Sequence, residues 1–138
     1  MTIKKKVGQL VEKYGTNDPF KIAEAMGIDI VYENLGKSLG YFSSIYRTTI
    51  IHINESLSYK KQLYTIAHEL GHVVLHPDEN TAFLKGNTYC LTDKKEVEAN
   101  TFAIELLLSN TENENVSFDQ AIEEYGMPEQ LLVKFFYS

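Results

Sequence analysis

The run His68-Glu69-Leu70-Gly71-His72 constrains this chain more than any other stretch, because it sets two histidines four positions apart in a segment with a helical apolar period. Residues at that spacing share one helix face, so both imidazoles can reach a single metal ion. Glu69 comes round beside them to hold a water on that metal, which is the geometry of a zinc hydrolase. The segment must then be a helix. Leu63, Ile66, Ala67, Leu70, Val73 and Val74 give it an apolar stripe too wide for a surface helix, so it is expected to be the buried centre of the fold. Ser56 and Ser58 are both available to cap its start, and Pro77 stops it near Leu75 by taking His76 out of helical angles.

The remaining elements arrange themselves around that helix. Val7, Leu10, Val11 and Tyr14 recur at helical spacing up to Gly15, and Asp18-Pro19 caps a short second helix that ends at Gly27. Residues 28–32, 41–46 and 48–53 read as strands, the last two as a hairpin turning at Arg47, with Gly36 and Gly40 marking the loop between the first two. Residues 78–91 carry no clear period, only a Gly86-Asn87 turn signal, and read as a loop with one short extended piece. Thr92 or Asp93 caps a further buried helix over residues 94–108, residues 109–115 are a polar break, and two last helices cover residues 118–125 and 128–136. Separate runs of strands and helices make this an α+β chain.

With 138 residues the chain is the size of one domain, residues 1–138, and its 43% hydrophobic content is enough for a core. No apolar run is long enough to span a bilayer, and the basic start at residues 1–6 is not followed by a signal-peptide core. A single cysteine, Cys90, excludes an internal disulfide framework and fits the cytoplasm, where the protein is expected to act. A net charge of −6 argues against direct nucleic-acid binding, since only Lys4 to Lys6 forms a basic run.

A catalytic zinc takes three protein ligands, so the two histidines need a partner. His76 continues the series on the same helix, but it lies eight residues from His68, about 12 Å along the axis, too far for one ion to collect all three. It suits a helix end, where a histidine favours the local dipole. Glu96 and Glu98 occupy the later helix on different faces. Glu96 shares a stripe with Ala99, Asn100, Ala103 and Leu107, small and apolar residues that let another helix approach, and a carboxylate buried there needs a cation. Capping is its rival role, because Asp93-x-x-Glu96 resembles a capping box. Glu98 lines up with Thr101 and Glu105 on a more polar face and is the alternative ligand. Asn100, one turn after Glu96, stands where it can hydrogen-bond a zinc histidine and fix its tautomer, although packing would also account for it.

Three stretches, KYGTNDPFKIAEAMGI, IIHINESLSYKKQLYTIAHELGHVVLH and EVEANTFAIELLL, give the chain a resemblance to the ImmA/IrrE family of zinc metallopeptidases. Glu96, Ala99, Asn100, Phe102 and Ala103 occupy the places of that family's Glu-x-x-Ala-Asn/Asp-x-Phe-Ala pattern. The resemblance implies His68, His72 and Glu96 as ligands of one zinc ion and Glu69 as the catalytic carboxylate. It also implies a minimal gluzincin-like (zincin) fold: a small antiparallel sheet of about three strands packed on the central HExxH helix, with further helices. One departure is the helix exit, Leu107-Leu108-Ser109-Asn110 where the family commonly has Leu-Leu-Met-Pro.

Members of the family come from phages and other mobile elements or act in stress responses, and they cut a transcriptional repressor. The expected activity is therefore a cytoplasmic zinc endopeptidase whose partner is a protein substrate, a helix-turn-helix repressor. The alternative is a module of the anti-repressor or toxin–antitoxin type that keeps the zinc site and grasps its partner without cutting it. Residues 48–53 are either an edge to which a substrate strand adds or an ordinary interior strand. His52, Tyr41, Tyr46 and Tyr64 are available as transition-state donors, with a structural role the ordinary reading for a lone strand histidine.

Overall fold

Every described helix except the last begins where a short polar side chain takes up backbone amides that the helix itself leaves unpaired, in a computed structural model that describes residues 1–77, 84–85, 93–109 and 116–137. Helix α1, Ile3–Tyr14, starts at Thr2 and ends at Gly15, whose left-handed φ of 70° closes the last turn. Helix α2, Pro19–Ala25, is capped by Asp18, which accepts from the Phe20 N–H at 2.9 Å. The central helix, α3, spans Tyr59–Leu75 and takes Ser58 as its cap. Ser56 hydrogen-bonds Asn54 instead. Helix α4, Lys94–Leu107, is capped by Asp93, α5, Phe118–Glu123, by a reciprocal Ser117/Gln120 capping box, and α6, Glu129–Tyr137, follows Pro128.

Helix α3 earns its central place by burial. Tyr64 to His72 are buried without a break, which is possible only with partners on several sides. The sheet covers one side through Phe42, Ile51 and Ile53, α4 covers another, and α2 packs alongside. Helix α1 lies on α4.

The sheet has four strands, β1 (Asp29–Glu33), β2 (Ser38–Ile45), β3 (Thr48–Asn54) and β4 (Leu84–Lys85), in the order β1-β3-β2-β4. Strands β2 and β3 form the expected antiparallel hairpin, turning at Tyr46 and Arg47, both with positive φ, as a tight two-residue turn requires. The sheet differs from a purely antiparallel one: β1 joins β3 in parallel, with Asp29 opposite Ile50 and Tyr32 opposite Ile53. The reason lies in apolar content, since Ile51 and Ile53 are fully buried in β3 while β1 is largely exposed, so β3 takes the middle and β1 the edge. Asn54 secures the crossover by donating to the Gly36 and Ser38 carbonyls at 2.9 and 2.8 Å. Strand β3 is thus interior and cannot accept a substrate strand. Among the described strands the edges are β1 and β4. The Gly86-Asn87 turn and the polar break at residues 110–115 lie outside the described residues.

Gly36 sits in the loop before β2, as expected, whereas Gly40 lies within the strand. A Cβ on Gly40 would stand 2.5 Å from the His52 carbonyl oxygen and 2.9 Å from Thr65 Cγ2, so the glycine lets β2 pass close to both β3 and α3. Gly40→Ala should therefore lower stability by about 1–3 kcal/mol, read as an earlier midpoint in denaturant unfolding.

Burial pushes the Glu105 carboxyl on α4 above its ordinary value, Lys4 pulling the other way. An acid raised by folding binds more protons folded than unfolded, so its charge costs stability at neutral pH and ceases to do so as pH falls through its ordinary value. Glu105→Gln is accordingly expected to raise Tm at pH 7 and to leave it unchanged near pH 4, as differential scanning calorimetry would record.

Candidate metal centre and active site

The spacing of His68 and His72 on α3 does bring their rings side by side, with Nε2 atoms 3.1 Å apart, and both residues are buried. Glu96 reaches them from α4. Its Oε2 lies 3.1 Å from His68 Nε2 and its Oε1 2.8 Å from His72 Nε2. The carboxylate thus turns to the histidines, while Asp93 alone caps α4 by accepting from the Lys95 and Glu96 amides. Glu69 is fully buried on α3 next to His68.

Helix α4 comes this close because of two small residues. A Cβ on Gly71 would stand 3.1 Å from Ala99 Cα, from the Ala99 carbonyl oxygen and from Phe102 Cβ, so the backbones of α3 and α4 touch where the motif has its glycine. Asn100, one turn beyond Glu96, is fully buried. Its Oδ1 accepts from His68 Nδ1–H at 2.6 Å and from the Tyr64 hydroxyl at 3.0 Å, which holds the side-chain amide from two sides. Its Nδ2 is buried with no hydrogen-bond partner among the described residues, so the two bonds to Oδ1 decide which way the amide faces.

Those bonds determine what the centre can hold. A neutral His68 that donates from Nδ1 presents a lone pair at Nε2, facing the Glu96 carboxylate and His72 Nε2. Burial holds the His68 imidazole below its ordinary value, against the opposing pull of Glu96, and so favours that neutral form. Burial alone would raise the Glu96 carboxyl, but the close approach of the His68 and His72 rings overrides it and holds the group well below the usual carboxylate range. Lone pairs and negative charge converging on one point suit a cation. Tetrahedral donors ~2.1 Å from a metal lie ~3.4 Å apart, a few tenths of an ångström beyond the spacings here. The three residues therefore fit a divalent metal ion, and their donor atoms all lie within 4.8 Å of one another.

Residues 23–135 match the model of the peptidase M78 family, described as the IrrE N-terminal-like domain. The chain belongs to this family. This M78 metallopeptidase is 38% identical over 135 residues to an immunity region protein 2, of uncharacterised function, from Bacillus phage phi105, covering 94% of the chain and 85% of that relative. It is also 38% identical over 110 residues to the metallopeptidase ImmA of Bacillus subtilis, covering 78% of the chain. The chain spans 64% of the length of that second relative.

The other sequence candidates in the M78 chain fall elsewhere. Tyr41 and His52 stack at 4.2 Å on the sheet face opposite Phe42, the side turned away from His72, and His52 bonds Glu33 at 3.1 Å and Ser43 at 3.2 Å. Tyr46 is exposed at the hairpin tip, and Tyr64 is engaged with Asn100. His76 is not within the ligand cluster, but its ring is not idle either. It lies between His72 and Glu98, a contact that the helical faces of α4 alone do not reveal. The four-residue spacing from His72 was the available signal.

Gly71→Ala should gain helix propensity yet force α4 outward, for a net loss of about 1 kcal/mol. Isothermal titration should show metal affinity falling by about tenfold, because Glu96 moves with α4.

Proposed function

We propose that this metallopeptidase is a zinc endopeptidase whose single domain cleaves a helix-turn-helix transcriptional repressor in the cytoplasm. His68, His72 and Glu96 hold one zinc ion, and Asn100 fixes the His68 tautomer. The observation that carries the reading is the convergence of two histidine nitrogens and one carboxylate, all within 3.1 Å of one another, on a buried helix that also bears Glu69. The repressor as substrate draws support from the relatives, one named for a phage immunity region and the other as a metallopeptidase. No described helix is long and apolar enough to cross a membrane.

When bound, the zinc ion would polarise the scissile carbonyl and lower the pKa of the attacking water. Glu69 takes that water's proton as its oxygen bonds to the carbonyl carbon, then delivers it to the amide nitrogen as the carbon–nitrogen bond breaks. Glu69 is fully buried, which keeps bulk water away from this transfer and strengthens its interactions. Asn100 holds the His68 ring through Nδ1, leaving Nε2 turned toward the centre.

Purified protein with zinc, incubated with the repressor encoded beside its gene, should yield a discrete pair of fragments, whereas a stable uncut complex would mark a module that only binds. Glu69→Gln should retain zinc and lose cleavage by about 10²–10⁴-fold. Cutting at the wild-type rate by that variant would remove Glu69 from the mechanism.

A further inference from the structure

Beyond the three donor residues, the histidine at the end of α3 and the second glutamate of α4 form a chain of contacts that ends on His72. His72 Nδ1 lies 3.3 Å from His76 Nδ1, and His76 Nε2 lies 3.1 Å from Glu98 Oε1. If Nε2 of His72 faces a metal with its lone pair, the proton of the neutral ring must sit on Nδ1, and only an acceptor can face it. His76 can accept at Nδ1 only in the tautomer that carries its proton on Nε2. That proton points to Glu98, a carboxylate and hence an acceptor. One placement of protons therefore satisfies the whole series: Glu98 accepts from His76, and His76 accepts from His72.

The fold holds this series in place. His76 is the residue that ends α3, its own N–H bonded to the His72 carbonyl at 2.7 Å, so its ring stays one turn beyond His72 rather than swinging out with the chain. The His76 side chain is only 11% exposed, which shields the contact to His72 from competing water. The arrangement mirrors the one on the other ligand, where the His68 Nδ1–H is taken by Asn100. Helix α4 thus supplies an outer acceptor to one histidine directly, through Asn100, and to the other through an intermediary, His76.

We propose that His76 and Glu98 are positioning residues for the metal centre: Glu98 sets the tautomer of His76, and His76 in turn holds His72 with Nε2 toward the ion. The proposal rests on the reading of His68, His72 and Glu96 as the ligands. An outer partner of this kind orients the ring and raises its basicity, so its loss weakens metal binding without removing a donor.

The test is Zn²⁺ affinity, measured by chelator competition on the full chain, for His76→Ala, His76→Asn, Glu98→Ala and the His76→Ala/Glu98→Ala double variant, with His72→Ala as reference. His76→Ala should weaken binding by about 10–100-fold, and His76→Asn, whose amide oxygen can stand where Nδ1 stood, should restore most of it. Glu98→Ala should weaken binding in the wild-type background and add nothing once His76 is gone, a coupling that independent packing effects would not produce. Should His76→Ala lose its fold, as the metal-free Tm would reveal, the comparison of Glu98→Ala in the wild-type and His76→Asn backgrounds carries the same coupling. Wild-type affinity in both single alanine variants, or equal losses from Glu98→Ala with and without His76, would overturn the proposal while His72→Ala still lost zinc. Undiminished affinity in His72→Ala would instead overturn the ligand assignment beneath it.

Discussion

The contact of α3 with α4 at Gly71 and Ala99 is the constraint on which the rest of this structure depends. A helix pair normally stands 8–10 Å apart, at a distance set by the side chains between them. With glycine facing alanine the backbones come together, and a glutamate on one helix can then turn its carboxylate onto two histidines of the other. A larger residue at either position would push the helices apart and draw the Glu96 carboxylate away from the histidines. The packing of the core and the chemistry of the centre are therefore the same requirement met at one place.

That proximity also explains how so many polar groups can be tolerated inside. His68, Glu69, His72 and Asn100 are all buried, in surroundings that penalise each of them alone. The two rings are held together because each meets a partner at its outer nitrogen and the Glu96 carboxylate at its inner one. Asn100 serves two donors, Tyr64 and His68, and so links the middle of α3 to α4 by a second bridge one turn away from Glu96. The sheet contributes shape: Phe42 lies against the His72 ring, and Gly40 lets the hairpin settle close enough for that contact.

Much of the fold was legible because local signals act over a few residues. Asp18, Ser58 and Asp93 are short polar side chains that stand just before an apolar period, where they cap α2, α3 and α4; Thr2 and Ser117 do the same for α1 and α5. Strand pairing was less legible. A run such as residues 29–33 is a strand by its β-branched and aromatic content, but whether it lies parallel or antiparallel, and beside which neighbour, depends on the burial available to β3 and on the Asn54 bonds that turn the chain. Neither is a property of the run itself.

The HExxH spacing determined by itself that two histidines share one face of a helix, and the small residues around Glu96 determined which face of α4 a neighbouring helix could approach. Both follow from helix geometry, which is the same in every chain. Only the tertiary structure decided how the outer nitrogens are satisfied: Asn100 on His68, and His76 with Glu98 on His72. Hydrogen bonds of this length depend on how two helices cross and on which rotamer each long side chain takes. Those are set by packing over the whole core, not by the spacing of letters along the chain.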